Sequence, residues 1–170
     1  NLRVVDDDFG RLPPLSLLYA AAIAEKAGHQ VMVLDANARR LTLKEAGDRL
    51  EAFGPDALAF TLSTYAFKST VAWMDALRRR LGVPTIAGGI NPRLYPAETL
   101  RNPAIDYCVL HFATRGLPAL LSALEQGQNP VGLPEVVARG PDGRPVIGPV
   151  DGSFNPYDEL PFPARHLIDN

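Results

Sequence analysis

The sequence predicts an α/β domain in which five parallel strands form one doubly wound sheet, with helices on both faces and a small hairpin and linker after it. Three observations lead there. Short apolar runs alternate with segments of helical period. The first residues of successive runs lie 28, 27, 28 and 22 positions apart, the length of one strand plus one returning helix. Glycine or Gly-Pro stands wherever a helix has to stop before the next strand: Gly28, Gly54-Pro55, and Gly82 with Pro84.

The elements follow in order. Strands are predicted at Leu2–Val5, Gln30–Leu34, Ala57–Phe60, Thr85–Ala87 and Tyr107–Leu110. Leu15, Leu18, Tyr19, Ala22 and Ile23 line one side of the first helix, and Leu43, Ala46, Leu50 and Phe53 one side of the second. Phe67, Val71, Met74 and Leu81 do the same in the third, and Leu117, Leu120, Leu121 and Leu124 in the last. Beyond Gln128 the chain turns rich in Pro and Gly, and Pro141-Asp142-Gly143 lies between Val136-Val137 and Val146-Ile147, which reads as a hairpin outside the main sheet. The expected organisation is therefore an α/β domain over 1–128, a hairpin extension over 129–153 and a connector over 154–170. Asn1 in place of Met and the polar, Pro-rich end are read as the limits of a piece of a longer chain.

Composition narrows the functions. The 170 residues carry 17 Lys+Arg against 19 Asp+Glu, a net charge of −2, so no basic excess exists to neutralise a nucleic-acid backbone or to bind a membrane surface. The run Leu15–Ala24 is broken by Ser16 and followed by Glu25-Lys26, too short to span a bilayer. No secretory signal is visible, one cysteine cannot form an internal disulfide, and three scattered histidines have no zinc-ligand spacing; a cytoplasmic protein without a metal of its own is expected.

In such a sheet, ligands gather at the carboxyl ends of the strands. Four segments are expected to meet there: Asp6 to Pro14, which includes Asp8, Phe9, Gly10 and Leu12; Thr61 to Tyr65; Gly88 to Pro92; and His111 to Thr114. Ser63 and Thr64 supply hydroxyls suited to a heteroaromatic or amide group, or else serve a turn. Gly88-Gly89 removes two side chains, so a bulky ligand can lie on the backbone, or else the pair serves the turn itself. Asp6-Asp7-Asp8 suits the divalent-cation pocket of a phospho-acceptor receiver domain. However, Thr61 stands where the acceptor aspartate would end the third strand, and the neighbourhood of His111 replaces the fifth-strand lysine.

The order of Pro13-Pro14-Leu15-Ser16-Leu17-Leu18-Tyr19-Ala20-Ala21, Ala27-Gly28-His29, Asp35-Ala36, Pro55-Asp56 and Gly88-Gly89 resembles the cobalamin-binding, flavodoxin-like domain that precedes the catalytic core in cobalamin-dependent radical S-adenosylmethionine enzymes. Ile105-Asp106-Tyr107, Leu117-Pro118-Ala119-Leu120-Leu121 and above all Asp158-Glu159-Leu160-Pro161-Phe162-Pro163-Ala164-Arg165-His166 follow in register, so the resemblance covers nearly the whole chain. It implies a fragment that is not itself catalytic. Cobalamin would be held by Asp8, Phe9, Gly10, Leu12, Pro14, Leu15, Thr61, Ser63, Thr64, Tyr65, Gly88, Gly89, Ile90, Asn91, His111 and Phe112. S-adenosylmethionine and a 4Fe-4S cluster would belong to a downstream radical domain, the expected partner, and methyl transfer would be the parent's reaction, with cyclisation or rearrangement as alternatives. Asp6 to Gly10 has the family's acids and glycine without a histidine, which implies cobalt lacking that lower ligand. Departures occur at Gly88-Gly89-Ile90-Asn91-Pro92-Arg93, where the family often has Gly-Gly-x-His-x-Thr, and at Leu110-His111-Phe112-Ala113-Thr114, where it often has Arg-Gly-Glu-Gly-Glu. His111 is read either as an exposed loop residue or as a neighbour of cobalt, while His29, at the opposite end of the sheet, and His166, in the connector, are structural. The competing function is a non-catalytic regulatory or interaction module on the same fold.

Overall fold

The computed structural model describes residues 12–151, 157 and 159–168. The expected first strand Leu2–Val5 and the candidates Asp8, Phe9 and Gly10 lie outside the described residues. Helix α1 (Leu15–Lys26) opens the described chain, and α2 (Leu43–Phe53) follows. Thr42 starts α2 with a reciprocal cap: its hydroxyl accepts from the Glu45 N–H, and the Glu45 carboxylate accepts from the Thr42 N–H. Then come β1 (Leu58–Thr61), α3 (Phe67–Leu81), β2 (Thr85–Gly88), the short helices α4 (Ile90–Leu94) and α5 (Pro96–Leu100), β3 (Tyr107–Val109) and α6 (Gly116–Glu125). Strands β4 (Val136–Arg139) and β5 (Pro145–Ile147) complete the sheet, and a 3-10 turn spans Arg165–Leu167.

The fold is α/β as expected, and its sheet is mixed. Strand order among the described residues is β1-β2-β3-β4-β5, with β1, β2 and β3 parallel and the β4–β5 hairpin antiparallel. The hairpin is therefore not outside the sheet: β4 pairs with β3 through Cys108 with Val137 and Val109 with Val136. The reason is burial on both faces. Val136, Val137 and Ala138 are all buried, the mark of an interior strand, and pairing covers the otherwise open edge of β3. A second difference concerns Gln30–Leu34, which joins no ladder among the described residues. Strand pairing needs two segments, and the expected first strand, Leu2–Val5, lies outside the described residues. Between β2 and β3 the connection is two five-residue helices rather than one long one, because Pro92 and Pro96 allow only short helical pieces there.

Alternate residues of each strand feed opposite faces. Ile86, Val109 and Val136 pack with Ala24 of α1 and Leu117 and Leu120 of α6. Ala87, Cys108 and Val137 pack with Leu62, Met74 of α3, Leu100 of α5, Ala104 and Ile105 on the other side. The stripe expected on α1 is modified. Leu15 is exposed, whereas Ala21 and Ala22 are buried against Ala164, so this helix is covered on a second side by the segment around Ala164 and Leu167. The Ala164 N–H donates to the Leu18 carbonyl at 3.1 Å and His166 Nε2 lies 3.0 Å from Glu25 Oε1. Cys108 is buried in the core, and burial pushes its thiol up to about 12.

Opposite the strand ends that carry the candidate residues, one carboxylate ties three elements. Asp106 accepts from Arg78 Nε at 2.8 Å and Nη2 at 2.9 Å, and from the Thr85 N–H at 2.9 Å. Burial raises its pKa, but the Arg78 guanidinium and the Thr85 N–H and hydroxyl outweigh that and leave it below the ordinary carboxylate value. No helix among the described residues is long and apolar enough to cross a membrane.

Candidate functional site

The carboxyl ends of β1, β2 and β3 form one rim, and hydrogen bonds beyond the ladder lace it together. Leu62 N–H donates to Gly88 O at 2.8 Å, and Asn91 N–H donates to Leu62 O at 3.0 Å. These bonds set Ser63 and Thr64 beside the start of α4. Helix α1 reaches the same rim, where Ser16 Oγ lies 3.3 Å from Thr61 Oγ1. Leu110 N–H donates to Glu135 O at 2.8 Å, which brings Glu135 to the end of β3.

The structure thus gathers Leu12, Pro14, Leu15, Thr61, Ser63, Thr64, Tyr65, Gly88, Gly89, Ile90, Asn91, His111 and Phe112 around one end of the sheet. Large apolar groups stand out into solvent there: Leu12 and Tyr65 are each 82% exposed, and Leu15 and Ile90 are exposed beside them. Together they make an apolar crown at this end of the sheet. Phe112 leans on the Tyr157 ring, centroids 5.0 Å apart.

The two glycines have different reasons. Gly89 has φ 97° and ψ −165°, a region open only to glycine, and a Cβ there would sit 3.1 Å from Leu62 O and from Thr61 Cγ2. Gly89 therefore serves the chain itself. At Gly88 an added Cβ would meet, among the described residues, nothing closer than Phe60 O at 4.0 Å. Its side points to the α1 and α6 face, as Ile86 does two residues earlier, and leaves a notch at the rim. The hydroxyls divide in the same way. Ser63 Oγ accepts from the Ala66 N–H at 3.2 Å and is spent on the turn, while Thr64 is exposed and its Oγ1 lies 3.3 Å from the Asn91 carboxamide.

Strain collects at the end of β3. His111 (φ 56°), Ala113 (φ 64°) and Glu135 (φ 57°) are left-handed without being glycine. Thr114 Oγ1 and Glu135 Oε2 are buried there with no hydrogen-bond partner among the described residues. Glu135 was not anticipated, since nothing in Leu133-Pro134-Glu135 signals a left-handed residue with its Cβ against Gly116, the first residue of α6. Thr99, buried behind Asn91 with its Oγ1 2.7 Å from the Asn91 carboxamide, was not anticipated either. Glu135→Gly is expected to raise stability by about 1 kcal/mol, since relief of the left-handed strain and of the orphaned carboxylate exceeds the lost packing. Thermal unfolding should then shift up by roughly 3 °C; an unchanged or lowered midpoint would mean that the carboxylate has a stabilising partner.

The B12 binding domain family matches residues 4–121. An uncharacterized methyltransferase of Pyrococcus horikoshii is 28% identical over 165 residues, a match covering 92% of this chain and 34% of that protein. The chain thus spans about a third of the curated relative. Among solved structures, the radical S-adenosylmethionine methyltransferase TsrM from Kitasatospora setae, with cobalamin and a [4Fe-4S] cluster bound, is 22% identical, with TM-score 0.67, over 83% of this chain and 27% of that one. The cobalamin-dependent S-adenosylmethionine radical enzyme OxsB, with aqua-cobalamin and S-adenosylmethionine bound, is 15% identical, with TM-score 0.77, over 94% of this chain and 23% of that one.

Proposed function

The chain belongs to the B12 binding domain family, and from that premise we propose that it holds cobalamin against the carboxyl ends of β1, β2 and β3 and presents the cobalt to a following radical domain. The observation that carries the reading is the Gly88 notch at the end of β2, beside Thr61 in the ladder, on a rim that also carries exposed apolar side chains. A corrin is a broad, largely apolar ring edged with carboxamides. The residues present suit such a group: Leu12, Leu15, Tyr65 and Ile90 offer apolar surface, the notch offers room for a tail, and the rim hydroxyls offer hydrogen bonds. Bound cobalamin would supply a cobalt able to carry a methyl group.

Everything else is the chain's own work. The laced ends of β1 and β2 hold the rim rigid, so the apolar crown and Thr64 keep their positions before a ligand arrives. His111 is the rim imidazole among the described residues, while His166 sits with Glu25 on the connector side of α1. S-adenosylmethionine and a 4Fe-4S cluster would belong to the radical domain, and methyl transfer is the reaction we assign to the parent protein. The domain limits, 1–128 for the α/β unit and 154–170 for the connector, are part of the same proposal. Incubation with hydroxocobalamin followed by gel filtration tests it. A corrin spectrum that travels with the protein is expected; a colourless protein would overturn the reading in favour of an interaction module on this fold.

A further inference from the structure

The buried polar chain behind Thr64 has a direction. As placed, Thr99 Oγ1 lies 2.7 Å from Asn91 Oδ1 and 2.7 Å from the Tyr95 carbonyl oxygen, and Asn91 Nδ2 lies 3.3 Å from Thr64 Oγ1. Asn91 is 6% exposed and Thr99 1%, so water is not at hand to correct a mismatch. A hydroxyl owns one proton. Two oxygens as close as 2.7 Å repel unless a proton lies between them, so Thr99 cannot face two acceptors. The Tyr95 carbonyl can only accept, and it takes the Thr99 proton. The carboxamide must then turn its NH2, not its oxygen, toward Thr99, a half-turn that leaves its shape unchanged. That half-turn brings the Asn91 oxygen to Thr64, 3.3 Å away, and Thr64 donates its single proton inward.

We infer that Thr64 faces the rim as an acceptor only, with Asn91 and Thr99 as the residues that set its direction. Resting on the cobalamin reading, this identifies what Thr64 binds: an N–H of a corrin carboxamide, and not the benzimidazole nitrogen, which is itself an acceptor. A ligand without the nucleotide keeps this bond; a ligand whose carboxamide is replaced by a carboxylate loses it.

Spectrophotometric titration with hydroxocobalamin and with cobinamide, which has corrin carboxamides but no benzimidazole, tests the assignment. Thr64→Val is expected to weaken both by the same factor, about tenfold, and Thr64→Ser to restore both. Weakening of hydroxocobalamin alone, or of neither, would overturn it. Failure of the unaltered protein to bind either corrinoid would instead overturn the cobalamin reading. A second measurement needs no ligand: Thr99→Val should shift the nuclear magnetic resonance signals of the Asn91 side-chain NH2, and Thr64→Val should leave them in place. The reverse pattern would show the proton chain running the other way.

Discussion

Gly88→Val is expected to weaken hydroxocobalamin binding by roughly ten- to a hundredfold while leaving the fold intact. The notch exists because position 88 has no side chain, and the nearest described atom to an added Cβ is Phe60 O at 4.0 Å, so the chain itself does not resist the substitution. A valine would fill space that a ligand tail needs, and overpacking of one branched side chain against a rigid wall costs about 1–3 kcal/mol. The strand conformation favours valine, so thermal unfolding should move by no more than about 2 °C. Gly89→Ala is the informative contrast. There the left-handed φ and the 3.1 Å approach to Leu62 O make the chain resist even a methyl group, so stability should fall whether or not ligand is present. Undiminished binding by Gly88→Val would remove the notch from the site.

The largest loss of stability is expected at the other end of the sheet. Asp106→Ala should destabilise by about 3 kcal/mol, since it strips Arg78 of a two-pronged partner and leaves the Thr85 N–H unpaired within the sheet. Arg78 is partly exposed, with 41% of its side chain in solvent against 19% for Asp106, so screening keeps the figure well below that of a sealed pair. Unfolding should come roughly 8 °C earlier. The pH dependence has a definite sign. The folded carboxyl titrates below its unfolded value, so its stabilisation is fully present above about pH 4 and is lost as pH falls through the folded value. The gap in melting temperature between the native protein and Asp106→Asn should therefore be widest near neutrality and close in acid. A gap that is constant with pH would show that the charge of Asp106 contributes nothing.

Much of this architecture was legible from local pattern. The alternation of apolar runs with helical stripes set the order β1, α3, β2, β3, α6, and that order alone directs the candidate residues to one end of the sheet. Gly54 and Gly82 end their helices where the sequence places the stops. These features are decided within a few residues, by side-chain period and backbone preference, and such preferences do not depend on distant partners.

What the tertiary structure alone decided involves partners far along the chain. Val136-Val137 reads as half of a hairpin, but only the open edge of β3, nearly thirty residues earlier, makes it an interior strand. Gly88 and Gly89 are alike in sequence; the crossing of Leu62 under one of them separates a structural glycine from an open notch. Thr64, Asn91 and Thr99 carry ordinary side chains, and the direction of the proton chain through them exists only once they are packed together without water. Hydrophobic period is a property of a segment. Pairing, close approach and proton direction are properties of pairs, which the chain acquires only on folding.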